Sequence, residues 1–341
     1  MNKNDSIKPI VRSGIPEEDS ISSVVRKQPK ISDETESLSK DNKNLSCEKL
    51  IVSLSNSKTG LENLGNTCYM NTSLQCLLHC EPFISRFLYE REKYFGSKSL
   101  RPTPISKAFY EMCESISTKN GRSASAFSPL DFKRKFSLKH HNFAGYHQHD
   151  TQEFLRLLLE DIAEELNKVI NITKYVELDT TSSNKTKMNQ DYDALFKSRE
   201  NSIVIDTFYG QLVNRFKCVE CSFETYSFEK LLDIPLLLER ESYSGCELSG
   251  LLKNYFKIDK FLWDTPCNNK RCMKKSIHEK STQLSILPEV LVLSLQRYNT
   301  RNKTKNSTRV KISETLDISD YVDKDCIGKF ILYSRVNEVK I

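Results

Sequence analysis

Residues Gly60–Gln75 read GLENLGNTCYMNTSLQ and place one cysteine, Cys68, between a small-residue turn and an amphipathic helix. Gly60, Gly65, Asn66 and Thr67 are turn and cap residues, and glycine takes positive φ at little cost. Beyond Cys68 the apolar residues Met70, Leu74, Leu77 and Leu78 recur at i, i+4, i+7 and i+8, a helical period. The spacing therefore sets Cys68 at a helix N-terminus, where partial positive charge favours a thiolate. With backbone N–H groups and an Asn amide nearby, such a thiolate is suited to attack an acyl carbon. Taken alone, the same cysteine also fits a structural thiol in a core helix.

Working outward, 341 residues supply ample material for one large domain or two ordinary ones. The hydrophobic fraction of 38% is low, and the deficit lies at the N-terminus, where Met1–Leu50 contains no Phe, Trp or Tyr. A segment so poor in apolar residues cannot offset its ordering entropy, so residues 1–57 are expected to be a disordered leader. No signal-peptide core and no run of about 18 apolar residues occurs, which predicts a soluble intracellular protein, cytoplasmic or nuclear, with no membrane partner. Net charge is +6 with the two signs intermixed. The densest basic run, Arg301–Arg309, lacks aromatic residues to stack bases and reads as a solvated loop, not a nucleic-acid contact. Eleven cysteines in such a chain argue for thiols and metal ligands, not disulfides.

Helical periodicity dominates to about Ile170, with Gly121–Ser128 as a connector and Asp150–Ile170 as the strongest helix. Thr180–Gln190 reads as a polar, mobile insertion. From Ile203 the pattern becomes strand-like, with further strands at Leu231–Leu238 and Val290–Tyr298, the latter apolar on both faces and so expected to be central. A short helix is marked by Leu248, Leu251, Leu252, Tyr255 and Phe256, and Cys246 is expected on it as a packed thiol. Helices first and strands after predict an α+β fold.

Two further motifs carry chemistry. Gly145–Phe154 reads GYHQHDTQEF, and Asp150 three residues before Glu153 has the form of a capping box. His147 and His149 within it read as surface or packing residues. Cys218 and Cys221, then Cys267 and Cys272, form two close pairs able to supply four thiolates to a tetrahedral zinc ion. Reduced pairs without metal are the alternative.

The cysteine box resembles that of the ubiquitin-specific proteases, papain-like deubiquitinating enzymes, and the pattern GLxNLGNTCYMNxxLQ is satisfied at every fixed position. The second box resembles the family's Q-Q-D-A-x-E-F signature, with His149 and Thr151 as departures. Phe208–Leu212 (FYGQL) and Leu287–Tyr298 (LPEVLVLSLQRY) follow in family order. The resemblance implies a papain-like fold with a helical thumb over about 60–170, fingers over about 205–290 and a palm. It implies Cys68 as nucleophile and Asn63 as oxyanion donor, with the isopeptide bond after ubiquitin's C-terminal glycine as the substrate. Gln148 and Asp150 would bind ubiquitin's extended tail, whose arginines suit a carboxylate. The four cysteines would hold a structural zinc that closes the fingers, in a chain acting as a monomer.

One departure is large. Family members continue after a strand like Phe330–Asn337 with a G-H-Y motif carrying the catalytic His, whereas no His lies C-terminal of His278. The expectation is a palm incomplete at its C-terminus, from a reading frame cut short more than from a short pseudoenzyme or a split protein. Loss of the base costs about 10⁶-fold in a triad hydrolase, so turnover by this chain is in question. The rival function is a catalytically inactive ubiquitin-binding pseudoenzyme.

Overall fold

Apolar residues at helical spacing fold the first part of the chain into helices, and β-branched and aromatic stretches fold most of the remainder into strands, as the change of period predicts. The structure, a computed structural model, describes residues 47–95, 102–119, 126–172, 174, 184–238, 245–262, 266–299 and 304–327. It divides into two compact units, Met1–Gln148 and His149–Ile341.

The first unit contains α1 (47–55), α2 (Cys68–Leu78), α3 (Glu81–Tyr89), α4 (Arg91–Phe95), α5 (Pro104–Lys119), α6 (Leu130–Lys139) and a 3-10 turn at His141–Phe143. The expected stripe of α2, Met70, Leu74, Leu77 and Leu78, is buried throughout. A run of ring contacts joins the helices. Phe83, Phe87 and Phe109 touch in turn, Phe109 meets Phe132, and Phe136 and Phe143 complete the series, with centroids 5.2–6.5 Å apart. The ladder ends on Tyr69, 5.7 Å from Phe143 and next in sequence to Cys68. Edge-to-face and offset rings add to the energy of area burial, so the start of α2 is anchored to the ring-packed core of this unit. Helix α1 falls inside the stretch expected as a leader. Leu54 is 1% exposed, Cys47 Sγ donates to Leu88 O at 3.5 Å, and Ser53 Oγ donates to Ser117 O at 3.0 Å. Partners on α3 and α5 order a segment whose composition reads as polar. Residues 1–46 and 120–125 lie outside the described residues.

The second unit begins with α7 (Thr151–Glu165), α8 (Lys185–Lys197) and α9 (Ile203–Phe208). There follow β1 (Gly210–Cys218), β2 (Glu224–Leu231), β3 (Ile234–Leu237), β4 (Cys246–Glu247), α10 (Leu248–Tyr255), β5 (Asp259–Leu262) and β6 (Ile277–Ile286). Strands β7 (Leu293–Gln296), β8 (Tyr298–Asn299), β9 (Thr304–Lys305), β10 (Val310–Lys311) and β11 (Val322–Ile327) complete the described chain. Strand β1 is flanked by antiparallel β2 and β6; on the outer edge of β6, β11 runs parallel at the root and β5 antiparallel at the tip. The root is packed on Leu212, Ile234, Leu236, Leu252 and Leu284, while β5 is exposed along its length. Gly210 opens β1 because a Cβ there would stand 2.9 Å from Pro288 Cδ and 3.1 Å from Ile286 O.

Several local expectations are corrected. Within Thr180–Gln190, residues from Lys185 on are helical. Asn184 Oδ1 caps Lys187 N at 2.9 Å, Lys185 Nζ pairs with Asp323 at 2.8 Å and Asp325 at 3.0 Å, and Asn189 Oδ1 accepts from Gln211 Nε2 at 2.5 Å. Its polar residues thus have polar partners on the sheet. Ile203–Phe208 is a helix, not a strand: it is buried on nearly every side and leaves no period to read, while Ser202 Oγ caps Ile205 N at 3.4 Å. Strand β7 occupies only Leu293–Gln296 and, among the described residues, pairs with β3 alone, so it is not central there. Cys246 packs against the core as expected, but from β4, not from a helix. The strand expected at Phe330–Asn337 lies outside the described residues.

Truncating Leu252, 0% exposed in this core, to Ala is expected to cost about 2–5 kcal/mol in urea unfolding. Leu138→Ala, at a site 72% exposed, should stay within about 0.5 kcal/mol of wild type.

Candidate functional site

The turn before α2 is built around one side chain. Asn63 Oδ1 accepts the N–H groups of Gly65 at 3.1 Å and Thr67 at 3.0 Å, and Thr67 Oγ1 at 3.3 Å. Its carbonyl oxygen is therefore committed to the loop, and its Nδ2 is left as a donor with no partner among the described residues. Gly65 and Asn66 both sit in the left-handed region, at φ +95° and +55°. Thr67 takes the N-cap position but turns its hydroxyl back to accept from Leu64 N at 2.9 Å, so no side chain caps the helix.

Cys68 is the first residue of α2, half-buried, with no acidic residue in the first turn to compensate the helix end. Orphan N–H groups and the positive end of the macrodipole converge there. Side chains from α2 reach back to hold the incoming strand: Asn71 Nδ2 donates to Glu62 O at 2.9 Å and Gln75 Nε2 to Thr59 O at 3.0 Å. These two lie within the quoted motif, and only the fold reveals their work.

The second motif straddles the unit boundary. Gln148, exposed, closes the first unit, and Asp150 stands in the second. Asp150 is the N-cap of α7, its Oδ1 accepting from Gln152 N at 2.8 Å and Glu153 N at 3.1 Å. Among the described residues Glu153 returns no bond to the Asp150 N–H, so the capping box is half made and Oδ2 of Asp150 stays available. Two residues on, Gln152 Nε2 donates to Asp233 Oδ2 at 3.0 Å, which also accepts from Ser294 Oγ at 2.7 Å. Asp233 thus ties the start of α7 to β3 and β7. Nothing in the linear order singled it out, because its partners are 81 and 61 residues away.

The four predicted cysteines meet at the sheet tip. The Sγ atoms of Cys218, Cys221, Cys267 and Cys272 all lie within 4.8 Å of one another. Each pair closes a turn whose next residue is left-handed, Ser222 at φ +58° and Met273 at +49°. Burial opposes ionisation of Cys218, but hydrogen bonds from Ser276 Oγ and the Cys221 and Glu220 backbone outweigh it and bring the thiol down to about 6. Burial pushes Cys267 up to about 12. Four thiols converging with few other partners can hold one soft metal ion.

The sequence profile of the ubiquitin carboxyl-terminal hydrolases matches residues 59–337, and the chain belongs to that family. It is 30% identical over 252 residues to ubiquitin carboxyl-terminal hydrolase Usp2 of Drosophila melanogaster, covering 74% of this chain and 26% of that protein. Human ubiquitin carboxyl-terminal hydrolase 2 is 29% identical over 243 residues, covering 70% and 40%. The chain thus spans well under half the length of these relatives. Among solved structures, the SAGA DUB module Ubp8/Sgf11/Sus1/Sgf73 bound to monoubiquitin aligns with TM-score 0.59 and 20% identity, over 78% of this chain and 54% of that one. The fold is the α+β, papain-like one that the motifs imply.

Only thiolates ligate, so metal binding must release protons and weaken as pH falls. Titration with Co²⁺ should give one equivalent with intense thiolate charge-transfer bands at pH 8, with lower affinity at pH 6. Cys267→Ser should abolish the four-thiolate spectrum.

Proposed function

We propose that this domain hydrolyses the isopeptide bond after the C-terminal glycine of ubiquitin. The observation that carries the reading is the Asn63 turn, which commits Oδ1 to two backbone N–H groups and leaves Nδ2 without a partner among the described residues, in the turn that leads into a cysteine at a helix N-terminus. Cys68 Sγ attacks the glycine carbonyl carbon. The oxyanion that forms takes hydrogen bonds from Asn63 Nδ2 and the orphan N–H groups of α2, the kind of donor worth about 10²–10³ in rate. The C–N bond breaks as the thioester forms, the lysine amine leaving with a proton that the family's histidine would supply, and water then releases ubiquitin from the thioester. None of the chain's six histidines is assigned that role.

Gln148 and the free Oδ2 of Asp150 receive the extended, arginine-bearing tail of ubiquitin. The named family, and a fold neighbour solved with monoubiquitin, support ubiquitin as the ligand. Residues 60–170 then serve as thumb and 205–290 as fingers. At the fingers' tip we assign zinc to the four thiols. A tetrahedral site with bonds of about 2.3 Å needs sulfur separations of about 3.8 Å, and Cys221 and Cys267 already stand 3.7 Å apart. Held by these four thiols, zinc would supply no chemistry and would cross-link β1 and its following turn to the segment before β6.

The test is reaction of the purified chain with a ubiquitin C-terminal electrophile, read by intact mass. Wild type should gain one ubiquitin and Cys68→Ala none. A folded wild type that binds ubiquitin but forms no adduct would assign a binding-only role instead. Asp150→Asn separates its two duties, since Asn caps as well as Asp but carries no charge. We expect an unchanged melting temperature and ubiquitin affinity weakened about tenfold or more, as for loss of one charged hydrogen bond.

A further inference from the structure

We propose that Tyr146 and Lys133 are positioning residues for the nucleophile turn, acting as a latch that keeps Asn63 aimed. The proposal rests on the reading of Asn63 and Cys68 given above and concerns residues of the first unit alone. Lys133 lies on α6 and is 8% exposed. Among the described residues it has no carboxylate partner. Its Nζ donates to Gly145 O at 2.9 Å and stands 5.0 Å from the Tyr146 ring centroid. A buried ammonium is costly unless strongly partnered, so this cation holds the 145–146 backbone and the face of the ring against α6.

Tyr146 in turn grips the loop that carries Asn63. Its carbonyl accepts from Asn66 Nδ2 at 2.8 Å, and its ring covers Gly65 so closely that a Cβ there would stand 2.7 Å from Cδ1. Gly65 and Asn66 are the two left-handed residues of the turn, and Asn66 has a Cβ that disfavours this conformation. Left-handed backbone persists where its surroundings over-determine it, and here the surroundings are Tyr146. On either side of that pair, the N–H groups of Gly65 and Thr67 orient the Asn63 amide. The chain of contacts therefore runs from Lys133 through Tyr146 and the Gly65–Asn66 turn to Asn63. Core packing does not explain the tyrosine, which is 73% exposed.

Two readouts on the full chain test the latch. The first is the ubiquitin electrophile reaction, resolved into its saturating rate and half-saturating concentration. Tyr146→Ala keeps the carbonyl but removes the ring, and Asn66→Gly keeps the left-handed backbone but removes the amide. Each is expected to lower the saturating rate about ten- to a hundredfold, the scale of a misaimed oxyanion donor, with the half-saturating concentration changed less than about twofold. Tyr146→Phe should restore the rate. The second readout is hydrogen exchange at the Gly65 and Thr67 amides, which should quicken at least about tenfold in Tyr146→Ala and not in Tyr146→Phe. A change confined to half-saturation, or unchanged exchange in Tyr146→Ala, overturns the latch. If wild type forms no adduct, the assignment of Cys68 fails, and exchange alone then decides the latch.

Discussion

One carboxamide oxygen, that of Asn63, organises the part of the molecule on which its chemistry depends. By accepting two backbone N–H groups and a hydroxyl across a left-handed turn, it sets both the entry to α2 and the direction of its own Nδ2. A residue that closes this turn cannot be moved without disturbing Thr67 and, next to it, Cys68. The surrounding fold supplies the stiffness: the phenylalanine ladder of α3, α5 and α6 ends on Tyr69, and amides from Asn71 and Gln75 hold the incoming strand. The fixed dipoles at the end of a packed helix need no reorganisation as charge develops beside them.

The second unit solves a different problem. Strand β1 leaves a buried root and runs to a tip where β5 and the apolar residues Val219, Leu262 and Met273 stay exposed. Four thiols converge there, and a metal ion held by them would cross-link a region too small to bury its own surface. At the root, polar side chains do comparable work. Gln211, Asn189 and Ser285 hydrogen-bond within the buried layer, and Lys185 is shared between Asp323 and Asp325. Such networks specify one arrangement because every alternative leaves a buried group unpaired.

Legibility in the sequence followed the locality of the forces. The α2 stripe, the Asp150 cap and the two cysteine pairs were readable because turns, caps and chelate spacing depend on residues within a few positions of one another. The misread elements have distant partners. Helix α8 looked like a mobile polar insertion until its asparagine and lysine met Gln211, Asp323 and Asp325. Helix α9 carries strand-forming residues but is buried on almost all sides, which erases the period. Helix α1 was hidden in a polar leader, because one buried leucine and two side-chain hydrogen bonds do not register in composition.

By itself the sequence determined the helix-to-strand order, the turn that sets Cys68 at a helix N-terminus close after Asn63, the helix cap at Asp150 and the two cysteine pairs that converge at the sheet tip. All of these rest on short-range spacing. Tertiary structure alone decided which polar residues act at a distance: Asp233 tying α7 to β3 and β7, Lys133 bonding Gly145, and Tyr146 covering Gly65. A hydrogen bond between residues tens of positions apart leaves no local trace in a single chain, because any polar residue could have made it. Only the packing of the hydrophobic elements brings that one partner within reach.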